Sequence, residues 1–576
     1  MKLSFHKLQL QNYVPKLYQC MHGYSGKQYM LDTSAAIIIA LAALPLSMGY
    51  AMSAGLSPHL GIYCTVIAGF IAPFLSGGRC QITGPTAGFD PFVLALCAGF
   101  GLDGLFTGVF LAGLILIVLG AVGLGSIVKF LPRPIVLGIT NGIGLFLIIV
   151  NLKKMLGLVI PNWLELSVPG KVMAMIYHLP ELSLPSTIIS IATIAGIIWF
   201  QKYKSLPGPL IVTAALAGIV AVAGINIATI GSQYDMPTGF QLEHIPTFKF
   251  DLVPDLAGTS MTIALLVALK TLLTATISDR MLGDKHNPNV ELISQGAANM
   301  GSAFVGGLPS TASISRTANN IRLGGRTPIS GLMVSVILLS VLFFAAPAAN
   351  LIPICALAAI MAHIGHIMAD WAGIPKILKS SKADIAVWAL TFVLTTLGKI
   401  DLAMQFGFIL AAALYVQKVS ATTSVGDESD LILSEEATTN DEVRGLPEGA
   451  KVYNIRGPFM FGTSDKLHSV IDKVDEQPPV VILRLKSMTA IDATGIAAFE
   501  TLAQALKDQE KQLVICALRE QPGQLLKRAK FDEFIGTENH CMTTGDAVRR
   551  AKQILDSDPE YSKKSKRLAG LDVENR

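Results

Sequence analysis

The sequence predicts a polytopic α-helical membrane protein of fourteen transmembrane segments, arranged as two inverted repeats of seven and followed by a small α/β domain. Three observations predict this fold. Of the 576 residues, 51% are hydrophobic and only 15% are charged, which is too apolar for a soluble protein of this size. Two polar, glycine-containing stretches interrupt the apolar segments, and the pattern becomes that of a soluble domain in the last quarter of the chain.

The first interruption runs from 306 to 320 and reads Gly-Gly-Leu-Pro-Ser-Thr-Ala-Ser-Ile-Ser-Arg-Thr-Ala-Asn-Asn. Its glycines and proline favour extended backbone, and its hydroxyl residues are typical helix N-caps. A helix that begins near Ser313 soon meets Gly324 and Gly325, which predicts a half-helix. Non-helical backbone is tolerated at membrane depth only where it is buried in protein or lines a cavity, so we expect a binding site here.

The ligand of this site is predicted to be an anion. The free N–H groups at a helix start carry roughly half a positive charge, and Arg316, about one turn into the helix, adds a whole one. In the alternative interpretation, the stretch is a polar connector between two helices and Arg316 reaches the surface.

A second stretch, from 77 to 90, repeats the order of double glycine, proline, hydroxyl residues and short helix. Corresponding breaks in two halves of a membrane protein are typical of transporters built from inverted repeats. In such transporters the broken helices meet near the bilayer midplane. We therefore expect the two interrupted segments to face each other.

Apolar segments follow a polar N-terminal segment (1–30), of which residues 8–17 are amphipathic enough to lie along the membrane surface. Lysine and arginine residues gather in alternate loops, with Lys153, Lys154 and Lys399 as exceptions. This alternation predicts an inner-membrane protein with both termini in the cytoplasm. Seven segments fall in the first repeat (31–230) and seven in the second (255–418), at 32–54, 58–76, 86–99, 103–126, 133–158, 186–200, 207–229, 257–281, 291–305, 313–323, 327–347, 352–369, 383–398 and 401–418.

The C-terminal part is predicted to consist of a polar linker (419–441), a domain (442–556) and a charged tail (557–576). Within the domain, short strands alternate with helices, which predicts a sheet backed by helices. The strands are expected at 451–456, 479–485 and 514–518, and a helix at 495–506.

Composition and spacing exclude several other functions. The net charge is only +4 and the basic residues are scattered, so we expect no nucleic-acid binding. The seven cysteines form no CxxC pair, and His363 and His366 have no carboxylate at ligand spacing, so we expect neither a metal nor a cofactor. The C-terminal domain has no nucleophile–base pair or phosphate-cradling loop, and we do not expect an enzyme.

Several motifs carry a family resemblance: 44–51 (Leu-Pro-Leu-Ser-Met-Gly-Tyr-Ala), 54–58, 83–86 (Thr-Gly-Pro-Thr), 279–292 and 306–316. Through them the chain resembles the sulfate permease (SulP) family, which includes the solute carrier 26 transporters that exchange chloride, bicarbonate, sulfate and oxalate. In addition, Gly-Pro-Phe-Met-Phe-Gly at 457–462 and Ile-Asp-Ala-Thr-Gly at 491–495 resemble the STAS domain that such transporters carry. The resemblance covers nearly the whole chain.

The resemblance implies a core domain that moves like an elevator against a gate domain, with the anion held between the third and tenth segments. Sulfate, bicarbonate, chloride and small dicarboxylates all suit such a site. Leu46 stands where relatives usually have a glutamine that reaches towards the anion, which favours an anion with some apolar body. Carried over to this sequence, the anion contacts come from Tyr50, Thr86, Ala87, Ile314, Ser315 and Arg316.

A second group of residues is assigned to coupling. Lys270 stands where many bacterial relatives carry a carboxylate linked to a co-transported sodium ion or proton. A lysine cannot ligate a cation, so the resemblance predicts loss of sodium coupling. A charge at mid-bilayer costs ~3 kcal/mol on insertion scales, and Asp90 is the candidate partner of Lys270. Thr274 completes this group. Asp90 is either a proton site or one half of a plain ion pair that joins two helices.

In the STAS-like domain, Ala493 replaces the serine that signalling relatives phosphorylate, and Thr494 is predicted to be a helix N-cap. We expect this domain to support a homodimer or to bind a cytoplasmic partner. The whole chain is thus predicted to be a secondary anion transporter in the lipid bilayer that works by elevator-like alternating access without sodium coupling. The alternatives are a passive anion channel or an anion-sensing membrane protein of the same fold.

Overall fold

A computed structural model describes residues 14–557, except 126–131, 164, 204–205, 235, 238, 242–246, 345, 428, 430–444 and 464. Most of the predicted surface segment 8–17, most of the linker 419–441 and nearly all of the tail 557–576 lie outside the described residues. The chain forms two compact units, Met1–Ala411 and Ala412–Arg576.

The first unit is almost entirely helical. Its helices are α1 (Lys16–Met21), α2 (Gly26–Ser53), α3 (Pro58–Leu75), α4 (Asp90–Ala121), α5 (Arg133–Leu156), α6 (Val168–Tyr177), α7 (Leu184–Phe200), α8 (Gly208–Ala223), α9 (Ile230–Gln233), α10 (Val253–Leu282), α11 (Pro288–Ala303), α12 (Ile314–Arg322), α13 (Pro328–Phe344), α14 (Ala346–Ala349), α15 (Ile354–Met368), α16 (Ile374–Ile377) and α17 (Lys382–Thr396), and α18 (Ile400–Thr422) continues past Ala411. Two short strands, β1 (Thr83–Pro85) and β2 (Ser310–Ala312), interrupt them. Single 3-10 turns lie at Ala87–Phe89, Leu179–Glu181, Phe250–Leu252 and Trp371–Gly373.

Among the described residues, seven helical stretches are long and apolar enough to cross a membrane. Three shorter apolar helices, α7, α8 and α13, add to them. The predicted third and fourth segments run together as one helix, α4, which is broken only at Gly101 (φ 70°). A positive φ suits glycine, so the break lies where the sequence placed the boundary between these two segments. These helices make the chain a multi-pass membrane protein.

The membrane helices pack as two bundles. The first bundle consists of α2, α3, α4, α10, α11, α12 and α13, and the second of α5, α7, α8, α15 and α17. Packing partners recur in matching pairs across the two halves of the chain. Both α2 and α3 pack on α13, just as both α10 and α11 pack on α4, and α5 packs on α17 as α15 packs on α7.

Glycines allow backbones to touch inside each bundle. A Cβ atom at Gly113 of α4 would lie 2.6 Å from the carbonyl oxygen of Gly296 in α11, and a Cβ atom at Gly296 would lie 2.6 Å from that of Gly113. In the second bundle, Gly144 of α5 and Gly365 of α15 form a similar reciprocal pair, at 2.5 and 2.7 Å. Small residues at membrane helix contacts permit this close approach, and van der Waals packing then holds the helices together.

One loop carboxylate ties three segments of the first unit. Asp284, in the loop between α10 and α11, lies 3.1 Å from the Lys16 ammonium of α1 and 2.8 Å from Nε of Arg79. Burial raises the pKa of Asp284, but a hydrogen bond from the Lys285 backbone and the two cations outweigh it and hold this pKa below its usual value.

The second unit contains a six-stranded sheet in the order β3-β4-β5-β7-β8, with β6 paired to β4. Only β3 and β4 are antiparallel; the other pairs are parallel. Apolar side chains are buried on both faces of the sheet. The elements are β3 (Ser424–Asp427), β4 (Ala450–Phe459), α19 (Asp465–Ile471), the 3-10 turn Val474–Glu476, β5 (Val480–Arg484), β6 (Met488–Ile491), α20 (Ala493–Asp508), β7 (Gln512–Cys516), α21 (Glu520–Arg528), α22 (Phe531–Ile535), the 3-10 turn Thr537–Asn539, β8 (His540–Cys541) and α23 (Thr544–Ser557).

Two features of this unit differ from the sequence-based expectation. The start of the predicted linker is structured, because α18 runs to Thr422 and β3 follows as an edge strand of the sheet. The prediction that Thr494 is a helix N-cap is wrong. Asp492 is the N-cap of α20: its carboxylate accepts a hydrogen bond from the Gly495 N–H at 2.9 Å, so Thr494 lies inside the first turn.

Substitution of Gly113 tests the close packing of the first bundle. We expect Gly113→Val to lower the stability of the purified protein by about 1 to 3 kcal/mol, because the new side chain collides with the backbone of α11. Thermal unfolding in detergent measures the effect. Gly218→Val of α8 is the matched control, since no atom lies within 4 Å of a Cβ atom built there. Equal stability of the two variants would contradict the packing.

Candidate functional site

The two interrupted stretches meet directly as a two-stranded ribbon. Strands β1 and β2 are antiparallel, with Thr83 opposite Ala312 and Pro85 opposite Ser310. The turn Ala87–Phe89 and helix α4 follow one end of this ribbon, and α12 follows the other end. The prediction of a half-helix that begins near Ser313 is confirmed, because α12 spans only Ile314–Arg322. The Ser313 side chain makes no capping hydrogen bond; instead, the Ser313 N–H donates to the Ile82 carbonyl at 2.9 Å.

Three side chains on the inner face of α12 hold it against the first stretch. Arg316 Nη2 donates to the Pro85 carbonyl at 3.1 Å, and Thr317 Oγ1 accepts from the Ile82 N–H at 3.0 Å. One turn later, Asn320 Nδ2 donates to the Cys80 carbonyl at 3.2 Å. The half-helix α12 is thus hydrogen-bonded to the extended backbone of the first stretch.

A polar stripe on α11, formed by Glu291, Gln295 and Asn299, holds the ribbon from the other side. Buried Glu291 accepts hydrogen bonds from the Ser76 hydroxyl at 2.7 Å and from the Gly77 and Gly78 N–H groups at 3.0 and 3.2 Å. Gln295 donates to Thr83 Oγ1 at 3.0 Å, and Asn299 bonds both the N–H and the carbonyl of Ser310 at 2.8 Å.

Sequence reasoning did not assign this stripe to the site, although one signal was available. Its members are spaced four residues apart, so they lie on one helical face. Polar residues at this spacing on a membrane helix indicate that the face meets polar backbone rather than lipid. Asn299 bonds strand β2 rather than a neighbouring helix.

Two polar atoms at the helix starts are buried and have no hydrogen-bond partner among the described residues. They are Arg316 Nη1 and Thr86 Oγ1. Arg316 is 7% exposed, and its guanidinium lies against Gly84, where a Cβ atom would lie 3.0 Å from Nη1. A buried charged donor without a partner is costly, so these atoms indicate a place where a ligand completes the hydrogen bonding.

The other residues predicted to contact the anion differ in their burial. Tyr50, at the end of α2, is 7% exposed and interacts electrostatically with Arg316. Ala87 is fully buried in the turn that follows Thr86. Ile314 and Ser315 are exposed on the first turn of α12. The structure therefore brings Tyr50 and Arg316 together and leaves Ile314 and Ser315 on an open surface beside them.

The residues assigned to coupling surround the start of α4. Lys270 Nζ lies 5.2 Å from the centre of the Phe89 ring, and a Cβ atom at Gly88 would lie 2.1 Å from this nitrogen. Lys270 and Asp90 both lie in the part of the chain that the structure describes, and they form no ion pair there. Their charges nevertheless interact through space. Asp90 instead accepts a hydrogen bond from the Ser53 hydroxyl. The Thr274 hydroxyl lies 2.8 and 3.2 Å from the Lys270 and Ala312 carbonyls, which ties β2 to α10.

Lys154 is one of the exceptions to the predicted alternation of basic residues between loops. In the structure its ammonium donates to the Met52 carbonyl at the end of α2, at 2.6 Å, and interacts electrostatically with Asp90. The sequence signal for this role was that Lys154 lies at an end of a membrane segment where the charge alternation predicts no basic residue. Lys270 and Lys154 thus place two cations near the Asp90 carboxylate.

This fold and this site define a class: helical multi-pass membrane transporters whose two broken helices meet at an electropositive centre, with an attached α/β domain. The model of the sulfate permease family matches residues 30–391, and that of the STAS domain matches residues 442–547. The chain belongs to the sulfate permease family of anion transporters.

Individual proteins agree with this assignment. The chain is 30% identical to the putative sulfate transporter YvdB of Bacillus subtilis over 90% of its length and 97% of that protein. It is 26% identical to the bicarbonate transporter BicA of Picosynechococcus over 90% of its length and 94% of that protein. The fold matches murine Slc26a9, an anion transporter, with a TM-score of 0.84 at 16% identity over 96% of both chains.

Asn299→Ala tests whether the polar stripe stabilises the ribbon. The change leaves the N–H and the carbonyl of Ser310 without their partner, so we expect a loss of about 1 to 3 kcal/mol in stability. Thermal unfolding of the purified protein measures this loss. Asn319→Ala is the control, because the Asn319 side chain makes no hydrogen bond with any described residue. Unfolding at the same temperature in both variants would show that Asn299 does not hold the strand.

Proposed function

We propose that this protein is a secondary anion transporter that binds its substrate at the ribbon between the starts of α4 and α12. The observation that carries the proposal is the pair of unpartnered buried donors, Arg316 Nη1 and Thr86 Oγ1. An anion supplies acceptors for both atoms. Tyr50 lies within electrostatic reach of the same guanidinium, and the backbone at Ala87, Ile314 and Ser315 supplies the N–H groups of the helix starts.

The substrate belongs to the small oxyanions and carboxylates. A guanidinium binds planar or tetrahedral oxygen groups through paired N–H donors, and helix starts add positive potential without adding bulk. The relatives named above include proteins called sulfate and bicarbonate transporters, and both anions are candidates here. Chloride and small dicarboxylates are also candidate substrates. Dicarboxylates are included because half-buried Leu46 offers an apolar neighbour in place of a polar one.

We propose that transport follows elevator-like alternating access between the first and second bundles. The matching packing partners in the two halves of the chain support two inverted repeats, 31–230 and 255–418, with seven segments each. The ribbon and both helix starts belong to the first bundle, which therefore plays the part of the core domain that carries the anion. The second bundle plays the part of the gate domain.

We also propose that the transporter is not coupled to sodium. The ammonium of Lys270 fills the space beside Gly88 and Phe89, where its charge repels a second cation. We propose that the protein lies in the inner membrane as a homodimer with both termini in the cytoplasm. Its STAS domain, 442–556, supports dimerisation or binds a cytoplasmic partner and has no catalytic role.

Uptake by the purified protein in liposomes tests the proposed function. Labelled sulfate, bicarbonate and succinate are offered separately, with imposed sodium, proton or chloride gradients. A carrier shows saturation and trans-stimulation. A linear current without trans-stimulation would instead indicate a passive anion channel, and binding without flux would indicate an anion sensor.

Arg316→Ala is expected to weaken anion affinity by about 1 to 3 kcal/mol, because the anion loses one charge-assisted contact. The concentration dependence of uptake in liposomes measures the change. Arg322→Ala is the matched control, since Arg322 lies exposed in the last turn of the same helix. Unchanged affinity in the Arg316 variant would place the anion elsewhere.

Lys270→Glu is expected either to make uptake dependent on a cation or to abolish it, because a carboxylate replaces the ammonium beside Phe89. Uptake with and without a sodium gradient distinguishes these results. Lys270→Arg serves as the control that keeps the positive charge. Sodium-independent uptake at the wild-type rate in the glutamate variant would refute the role of this lysine.

A further inference from the structure

Lys154 lies at the boundary between the two bundles. It occupies the last turn of α5 in the second bundle, and its ammonium donates to the Met52 carbonyl near the end of α2 in the first. The last carbonyls of a helix carry partial negative charge, so a cation placed there is stabilised. The contact joins an element of the proposed gate domain to one of the proposed core domain.

Charge strengthens this contact. Asp90 begins α4 in the first bundle and is hydrogen-bonded to Ser53, the residue that follows Met52. The carboxylate of Asp90 attracts both Lys154 and Lys270 through space. The Lys154 ammonium therefore faces a helix carboxyl end and a carboxylate that both belong to the opposite bundle.

The neighbouring residue Lys153 makes its contacts within its own bundle. Its ammonium donates to the Ile160 carbonyl at 3.1 Å and lies 5.3 Å from the centre of the Trp163 ring. Both partners follow α5 directly in the chain, so Lys153 ties a hairpin to its own helix. The same residue type, one position apart, thus makes one contact within a bundle and one contact between bundles.

Elsewhere the surface between α2 and the second bundle is close and apolar. A Cβ atom at Gly49 would lie 2.6 Å from Cε of Met361 in α15. A flexible thioether at this contact can adapt its conformation. By contrast, the half-buried Lys154 ammonium loses a hydrogen bond when it leaves Met52 and must find another partner or reach water.

We propose that Lys154 is a positioning residue that latches the first bundle to the second through Met52 and Asp90, and that this latch opens and closes once in each transport cycle. The proposal rests on the proposed transport function. It predicts that the distance between 52 and 154 changes during transport, whereas the distance between 153 and 160 does not.

Cross-linking tests the proposal in a variant without native cysteines. Met52→Cys and Lys154→Cys are combined, reconstituted in liposomes and treated with a short bis-methanethiosulfonate linker, which dithiothreitol releases. Uptake is measured with whichever of labelled sulfate, bicarbonate and succinate the cysteine-free parent transports. We expect at least a tenfold loss of uptake after cross-linking and its recovery after dithiothreitol, with the link verified by mass spectrometry.

Lys153→Cys combined with Ile160→Cys is the matched control and is expected to keep its uptake when cross-linked. Full uptake by the cross-linked 52–154 pair would overturn the latch. No uptake by the parent protein would instead refute the proposed transport function, so the two failures are distinct.

A second measurement uses no linker. Lys154→Met should change the maximal uptake rate at least threefold without changing the half-saturating concentration, and Lys154→Arg should restore the rate. An unchanged rate in Lys154→Met would also overturn the latch.

Discussion

The site depends on the hydrogen bonds between the polar stripe of α11 and the extended backbone of the two interrupted stretches. Backbone N–H and carbonyl groups that leave a helix inside a membrane need partners within the protein. Glu291 provides acceptors for the Gly77–Gly78 turn, Gln295 bonds β1, and Asn299 bonds β2. Without these three side chains the ribbon would carry unsatisfied groups at several kcal/mol each, so the half-helices could not begin where they do.

When the backbone of the ribbon is hydrogen-bonded within the protein, the buried polar atoms at the helix starts that still lack a partner indicate a ligand site. Among the described residues of the two stretches, both amide atoms of Gln81 and the Asn320 Oδ1 atom are buried without a hydrogen-bond partner. Arg316 Nη1 and Thr86 Oγ1 are the unpartnered atoms at the helix starts. Both lie where two helices begin, and helix starts already favour negative charge. The same arrangement keeps Asp90 close to Lys154 and Lys270, so that the surrounding buried charges are partly balanced before an anion arrives.

The division into two bundles explains how such a site can serve transport. Hydrogen bonds tie the ribbon, α10, α11 and α12 into one bundle, so the proposed elevator motion would carry the site as a unit. Facing it, the second bundle presents apolar side chains such as Met361 and also the ammonium of Lys154. The family membership agrees with a transport function for this arrangement.

Much of this protein follows from its sequence alone, because the determining signals are local. Double glycines, prolines and hydroxyl residues set where helices break, hydropathy sets which segments lie in the membrane, and short alternating patterns set the strands of the last domain. These features predicted α12 almost to the residue, and they pointed to Arg316, whereas Thr86 was assigned through the family resemblance. The tertiary structure alone decided two pairings: Asp90 takes Ser53 rather than Lys270, and Lys154 reaches across to α2. Those outcomes depend on distances between residues far apart in the chain, and a one-dimensional pattern does not contain such distances.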